Sequence, residues 1–319
     1  MRDRSIDIAK GIGIISMIIG HCSFCFVNYP WVIRGIYSFH MPLFFIISGL
    51  FIKEGLNFQY KREFKRLILP YIVVSLFVVL GQNMRSLIFE KSFDWDIGIG
   101  VLYGSGGPVF NWHIPQNTAM WFLLCLFFSR LLFMSVVLRY KESARVGIVV
   151  LLMAIGYICG KFFWLPFCLC PALVAVSFIY AGYKTKNKIY SRDELIVLLL
   201  LWISGASLSS FDLVTNHYPL LFLSLFVAFS GSVVVIALAK HIEKMRYVSR
   251  ILNYYGRYSL AILCLNNLEG QIVPWYKLYD WVHVHFLLGL LVVFIRVAFV
   301  GILLYYCKKN ALFKYVFIH

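Results

Sequence analysis

The sequence predicts an all-α polytopic membrane protein with about ten transmembrane helices and both termini in the cytoplasm. Three observations predict it. Hydrophobic residues make up 61% of the 319 and charged ones only 14%, at a mean hydropathy of +0.81, where a soluble domain carries roughly 25% charge. The apolar residues gather in runs of bilayer length. The basic residues gather in alternate connections between those runs.

A spanning helix needs roughly 20 mostly apolar residues. Runs of that order lie at approximately Ile6 to Val27, Ile36 to Ile52, Leu67 to Phe89, Met120 to Leu138 and Val146 to Cys159. Further along come Phe162 to Tyr183, Leu195 to Phe211, Leu220 to Lys240, Ser259 to Ile272 and Phe286 to Tyr306. The fifth and ninth are short. No internal repeat or low-complexity tract interrupts them.

The connections set the orientation. Arg2 and Arg4 precede the first run, and Lys53, Lys61, Arg62, Lys65 and Arg66 follow the second. On the same side come Arg139, Lys141 and Arg145; then Lys184, Lys186, Lys188 and Arg192; then Lys240, Lys244, Arg246 and Arg250; and last Lys308, Lys309 and Lys314. The opposite connections hold little more than Arg34, Lys91, Lys161 and Lys277. Basic loops mark the cytoplasmic face, and the alternation never breaks. The net charge of +16 therefore belongs to a membrane surface, and no nucleic-acid partner is expected. Residues 1–319 are expected to form a single transmembrane domain with no appended soluble domain. The first run is longer than a signal core and lacks a small-residue cleavage site, so no cleavable signal is expected. Cys22 and Cys25 are spaced C-x-x-C and Cys168 and Cys170 C-x-C, but neither faces a second ligand pair, so no metal site is expected.

His21 stands two-thirds of the way along the first run. An ionisable group inside a span is costly and reads as functional by default. Lys10 lies eleven residues earlier, which returns to within roughly 20° of the same helix face about 16 Å away. One face thus carries a cation at a membrane surface and an imidazole deeper in. That arrangement suits a long phosphate-bearing donor whose reactive end reaches inward. Asp7, three residues before Lys10, can hold the lysine in place.

His40 opens the second span, which runs antiparallel to the first, so the two imidazoles come to similar depth. Such a pair is a candidate acid–base centre; His40 equally suits an interfacial ring reaching water. The basic run from Lys61 to Arg66 ends where the third span begins. Composition alone reads it as an anchor on anionic lipid. Arg62 and Arg66 also suit a phosphate clamp, because arginine binds phosphate in a bidentate fork. The connection from Glu90 to Ala119, read as lacking its own helix, is the longest on the outer side and holds Asp94, Asp96, Trp95, Trp112 and His113. Aromatic and acidic side chains together suit sugar binding, and aromatics there serve equally as interfacial anchors.

Four stretches in this order resemble the integral-membrane acyltransferase family three, which O-acetylates bacterial polysaccharides and related glycans. They are Ser5-Ile6-Asp7-Ile8-Ala9-Lys10-Gly11 leading to Gly20-His21; Phe39 to Phe51 with its Phe-Phe and Ser-Gly pairs; the basic run ending Leu69-Pro70-Tyr71; and Met120-Trp121-Phe122-Leu123. They cover the first 130 or so residues. The resemblance implies that His21 is catalytic and that a basic residue, here Lys10, precedes it at this interval. With the residue readings above, His40 and Ser48 are expected beside His21, Ser48 as a hydrogen-bond donor to the developing oxyanion. Lys10, Arg62 and Arg66, with Asp7 behind Lys10, are expected to bind acetyl-CoA as donor, and no metal is expected. Trp121, Trp112 and Asp94 are then the expected acceptor contacts. Two departures stand out. Lys10 replaces the commoner arginine, keeping the charge and losing the fork, and the late Gly-x-x-Ser-Leu element at Gly256 is followed by Asn266 where a histidine often stands.

The expected activity is transfer of an acetyl or other acyl group from cytoplasmic acyl-CoA to a hydroxyl of a glycan or glycolipid beyond the inner (plasma) membrane. Expected partners are that acceptor, acyl-CoA and membrane lipid. A transporter or flippase of a glycan or lipid-linked intermediate is the alternative, since intramembrane histidines also relay protons in transporters. The absence of a two-fold repeat, and the polar residues concentrated in the first third, lean away from it.

Overall fold

The computed structural model describes residues 3–88, 95–106, 118–208, 211–282 and 285–318. In chain order its helices begin with α1 (Arg4–Gly20), α2 (Pro30–Tyr37), α3 (His40–Leu50) and a single turn α4 (Tyr60–Glu63). A π turn, Phe64–Ile68, leads into α5 (Leu69–Ile88), followed by α6 (Asp96–Tyr103), α7 (Trp121–Ser135), α8 (Glu142–Phe162) and α9 (Leu169–Thr185). The remainder comprises α10 (Arg192–Leu208), α11 (Leu221–Ile242), α12 (Arg246–Arg257), α13 (Ser259–Ile272), α14 (Tyr279–Val282), α15 (Phe286–Cys307) and α16 (Ala311–Phe317). Among the described residues there is no strand, only an isolated antiparallel bridge between Asp212 and His217.

Six helices are long and apolar enough to cross a bilayer: Pro30–Leu50, Tyr60–Met84, Trp121–Arg139, Glu142–Phe162, Leu221–Ile242 and Phe286–Cys307. Their apolar side chains point outward as much as inward. Along α15, Leu287, Leu291 and Phe294 are exposed while Arg296 is buried. That inversion fits a solvent of lipid, with polar groups satisfied inside the bundle. The chain is an all-α, multi-pass membrane protein.

Several boundaries differ from the sequence expectation for local physical reasons. The first span stops at Gly20 and passes into a 3₁₀ turn at Ser23–Phe26, rather than running to Val27. The second begins earlier, at Pro30, whose missing N–H suits a first helical turn, and breaks at Ser38-Phe39 before α3. The sixth begins at Leu169, not Phe162, because Phe167 and Cys168 both adopt left-handed φ (57° and 59°). The Cys168 N–H there donates to the Tyr103 carbonyl at 3.0 Å. The long connection after α5 does carry a helix, α6. The basic loop after α11 folds into α12, which lies against α1.

Glycine lets the backbones of the inner helices touch. A Cβ on Gly256 of α12 would stand 1.6 Å from the Asp7 carbonyl oxygen, and one on Gly11 of α1 would meet Leu252 O at 2.0 Å. Likewise Gly49 of α3 faces Ile179 O at 2.1 Å, and Gly182 of α9 faces Ile46 O at 2.0 Å. Small residues at helix crossings are how membrane bundles gain dispersion contact without a hydrophobic drive between helices. Backbone cannot step aside as a side chain can. Gly182→Ala should therefore destabilise the bundle by about 1–3 kcal/mol or more, seen as a lower melting temperature in detergent; Gly147→Ala, where nothing lies within 4 Å of the new methyl, should leave melting unchanged.

Candidate active site

Two cavities lie along one face of α1. The first, of about 450 Å³, is lined from α1 by Lys10, Ile14 and Met17, and elsewhere by Lys53, Arg62, Arg66 and Arg130. Glu63 is the one carboxylate among its lining residues, against five lysines and arginines. Its volume falls within the 300–1,000 Å³ typical of ligand sites. The second, of about 280 Å³, is lined by Gly20, His21, Tyr37, His40, Trp121 and Asp212, with Met17 again in its wall.

The basic cavity is shaped at the start of the third span. Leu69 donates its N–H to Phe64 O, a π-type bond. Pro70 next along has no N–H for an ordinary helical bond, and such π turns recur at functional sites. Glu63, just before it, is buried and receives a bidentate fork from Arg130 of α7, at 3.0 and 3.2 Å. The third arm of Arg130 donates to Ser48 Oγ of α3 at 2.6 Å. One guanidinium thus ties α3, α7 and the turn α4 ahead of α5 together. Lys10 pairs with buried Asp7 at 3.8 Å and lies 5.8 Å from the centre of the Phe51 ring. Asp7 itself stands behind the lysine and does not line the cavity.

The histidine cavity depends on where α1 ends. His21 follows the last helical residue and is exposed into the cavity. Beyond the helix its carbonyl has no intrahelical partner, and in a bilayer it needs a donor from the protein. Arg296 of α15 supplies one, at 2.9 Å from Nη1. The same guanidinium donates through Nε to Glu269 of α13 at 2.6 Å, and Trp275 Nε1 donates to the other Glu269 oxygen at 2.6 Å. Both charged side chains are at most 5% exposed. His40 is buried, and its Nδ1 lies 2.8 Å from Ile36 O at the end of α2. A carbonyl only accepts, so Nδ1 carries a proton and the neutral ring keeps its lone pair on Nε2. The Tyr37 ring stands edge-on to it at 5.2 Å. Asp212 accepts from Val214 N–H at 3.0 Å and Thr215 Oγ1 at 2.9 Å. Burial pushes its carboxyl above the ordinary carboxylate range.

A family model of an acyltransferase domain matches residues 3–306. The chain belongs to the acyltransferase 3 family. No curated protein and no solved structure matches it. The match runs far past the first 130 residues and takes in α13 and α15, whose Glu269 and Arg296 hold the His21 backbone.

Of the residues expected from the acyltransferase sequence, the structure gathers Lys10, Arg62, Arg66 and Ser48 at the basic cavity, and His21, His40 and Trp121 at the other. Ser48 is therefore apart from the histidines. Trp112 and Asp94 lie outside the described residues. Sequence reading passed over Arg130, Glu63, Asp212, Glu269 and Arg296. The signal for Arg130 and Arg296 was present, since each is an arginine inside an apolar run, where charges mark pairing or function. Glu269, inside the ninth run, carried the same signal. Among the described residues no group of three or more His, Cys, Asp or Glu side chains is placed to hold a metal.

The connection lining the basic cavity at Lys53, Leu56 and Asn57 is clasped to the helices behind it. Arg145 of α8 donates to Glu54 at 2.5 Å and to Glu142 at 2.8 Å, and the Tyr183 hydroxyl donates to Glu54 at 3.2 Å. The Arg145 hydrogen bond, then that of Tyr183, holds the Glu54 carboxyl below its ordinary range. A carboxylate depressed by folding stabilises above its unfolded pKa, about 4.3, and loses that contribution as pH falls through the folded value. Protection of residues 51–59 from hydrogen exchange, measured against the intrinsic rate at each pH, should therefore fall as pH drops below about 4, and Glu54→Gln should flatten that response.

The buried ion pair gives a second test. Arg296→Met leaves Glu269 as an uncompensated buried carboxylate and should cost about 3–5 kcal/mol. Adding Glu269→Leu removes the second charge and should restore part of the melting temperature. A double variant no more stable than the single one refutes this account.

Proposed function

We propose that this acyltransferase moves an acetyl or other short acyl group from cytoplasmic acyl-CoA to a hydroxyl of a glycan or glycolipid on the outer side of the inner membrane. The observation that carries the reading is the continuous α1 face, with Lys10 at a basic cavity and His21 at a second, polar one. Four shorter helices, α1, α9, α10 and α13, add to the six long ones to give ten crossings. The basic loops then put both termini and the basic cavity on the cytoplasmic side. Residues 1–319 work as one membrane unit in this reading.

Acyl-CoA enters as a substrate. Its phosphates meet Lys10, Arg62 and Arg66, where arginine supplies forked hydrogen bonds and Lys10, steadied by Asp7, a point charge. The pantetheine arm follows α1 inward. The acceptor hydroxyl enters the histidine cavity, lined by Trp121, Tyr37 and Asp212, with Trp112 and Asp94 as further expected contacts. His21 takes the hydroxyl proton as the oxygen attacks the thioester carbonyl. The new acyl–oxygen bond forms, the carbon–sulfur bond breaks, and the proton passes to the departing thiolate. His40, with its Nδ1 proton engaged by Ile36 O, presents a lone pair for a proton relay. Ser48, fixed by Arg130, retains its own hydroxyl proton to steady the incoming arm.

Calorimetry of acetyl-CoA binding to the detergent-purified protein tests the division of labour. Lys10→Ala should weaken binding about tenfold, the worth of a charged hydrogen bond. His21→Ala should bind as the parent does and lose transfer by about 10²- to 10⁴-fold, the range for a general base. A parent that does not bind acetyl-CoA would favour a transport role instead.

A further inference from the structure

The two cavities meet at a seam of three side chains. Met17 of α1, Met41 of α3 and Leu263 of α13 line both of them, and no other described residue does. Each comes from a different helix, and each is at most 8% exposed. None carries charge, and methionine adapts its shape readily through its unbranched chain. Met17 is not loose. Asn266, one turn along α13 from Leu263, donates from Nδ2 to its sulfur at 3.5 Å. Among the described residues the buried Asn266 Oδ1 has no hydrogen-bond partner.

Lys10 and His21 lie in different cavities, about 16 Å apart along α1 by helical rise, and Arg62 and Arg66 line the same cavity as Lys10. In the acyl-CoA reading, on which this inference rests, the acyl end must cross the seam to reach His21. We propose that Met17, Met41 and Leu263 form an acyl-selecting aperture, with Asn266 fixing the Met17 side chain across it, so that these residues set the length of acyl group transferred. An acetyl group passes with a small displacement of the three side chains. Each further methylene must displace more of a packed wall.

Met17→Ala removes Cγ, Sδ and Cε from the seam and leaves room for a longer chain. Leu263→Ala does the same from the opposite helix, and Asn266→Ala releases Met17 without emptying the seam. The test measures thiol release from acetyl-CoA and butyryl-CoA by detergent-purified protein, with a methyl glycoside as the hydroxyl probe. Binding of each donor is followed in parallel by calorimetry. The parent should favour acetyl. Met17→Ala and Leu263→Ala should each raise the butyryl-to-acetyl ratio of kcat/KM by about tenfold or more, the discrimination a hydrophobic wall exerts per methylene. Asn266→Ala should shift the ratio the same way by less. A general loss of folding scales both donors together and leaves the ratio where it was. Leu263→Phe should instead lower kcat with acetyl-CoA while its binding is kept. Unchanged ratios in variants that still bind both donors overturn the aperture and leave the acyltransferase reading intact. A parent that releases thiol from neither donor overturns the acyl-CoA reading itself, and the aperture with it.

Discussion

Arg296 can occupy the middle of an apolar 22-residue helix only because Glu269 meets it there. A lone guanidinium in hydrocarbon is costly by any measure; a guanidinium with a carboxylate and a backbone carbonyl in reach is not. The carbonyl it takes is that of His21. The pair therefore does more than neutralise itself. It satisfies the open end of α1 and fixes the direction in which the imidazole leaves the backbone. Trp275 completes the carboxylate from the other side. α1, α13 and α15 are bound at one point, and the histidine cavity takes its shape from that point.

The basic cavity is built on the same rule with other residues. Arg130 forks onto Glu63 and reaches Ser48, joining three segments through one planar group whose donors are fixed in space. Lys10 and Asp7 pair charge within α1 itself. Between these charged stations the helix wall is apolar, with Met17, Met41 and Leu263 lining both cavities. Polar groups at both ends of an apolar wall suit the transfer proposed above, in which the thioester is kept from water while the donor's phosphates and the acceptor's hydroxyls each find a polar home.

Close backbone contact gives the bundle its rigidity. Gly256 belongs to the late Gly-x-x-Ser-Leu element, and its role is spatial: it brings α12 onto α1 beside Asp7, one turn from Lys10. The element thus supports the Lys10 end of α1 from behind. Its serine, Ser259, opens α13 and lines the basic cavity. A motif that reads as a chemical signature in one dimension is, in three, mainly a packing surface.

The sequence by itself determined the class of the molecule and the axis of its site. Composition and run length sufficed for an all-α membrane protein, because the bilayer admits few other solutions. Helical periodicity sufficed to set Lys10 and His21 on one side, because Lys10 lies in α1 and His21 caps its end, and the structure puts Ile14 and Met17 between them in the cavity walls. Tertiary structure alone decided which distant residues complete the site. Glu269 lies 248 positions from His21 and Arg296 lies 275 away, so no local pattern could join them. It also decided that Ser48 belongs with Arg130 rather than with the histidines, and that Asp212 enters the second cavity. Those assignments follow from helix crossings and buried charge pairing, which are long-range satisfactions of local costs, and the one-dimensional pattern records the cost without naming the partner.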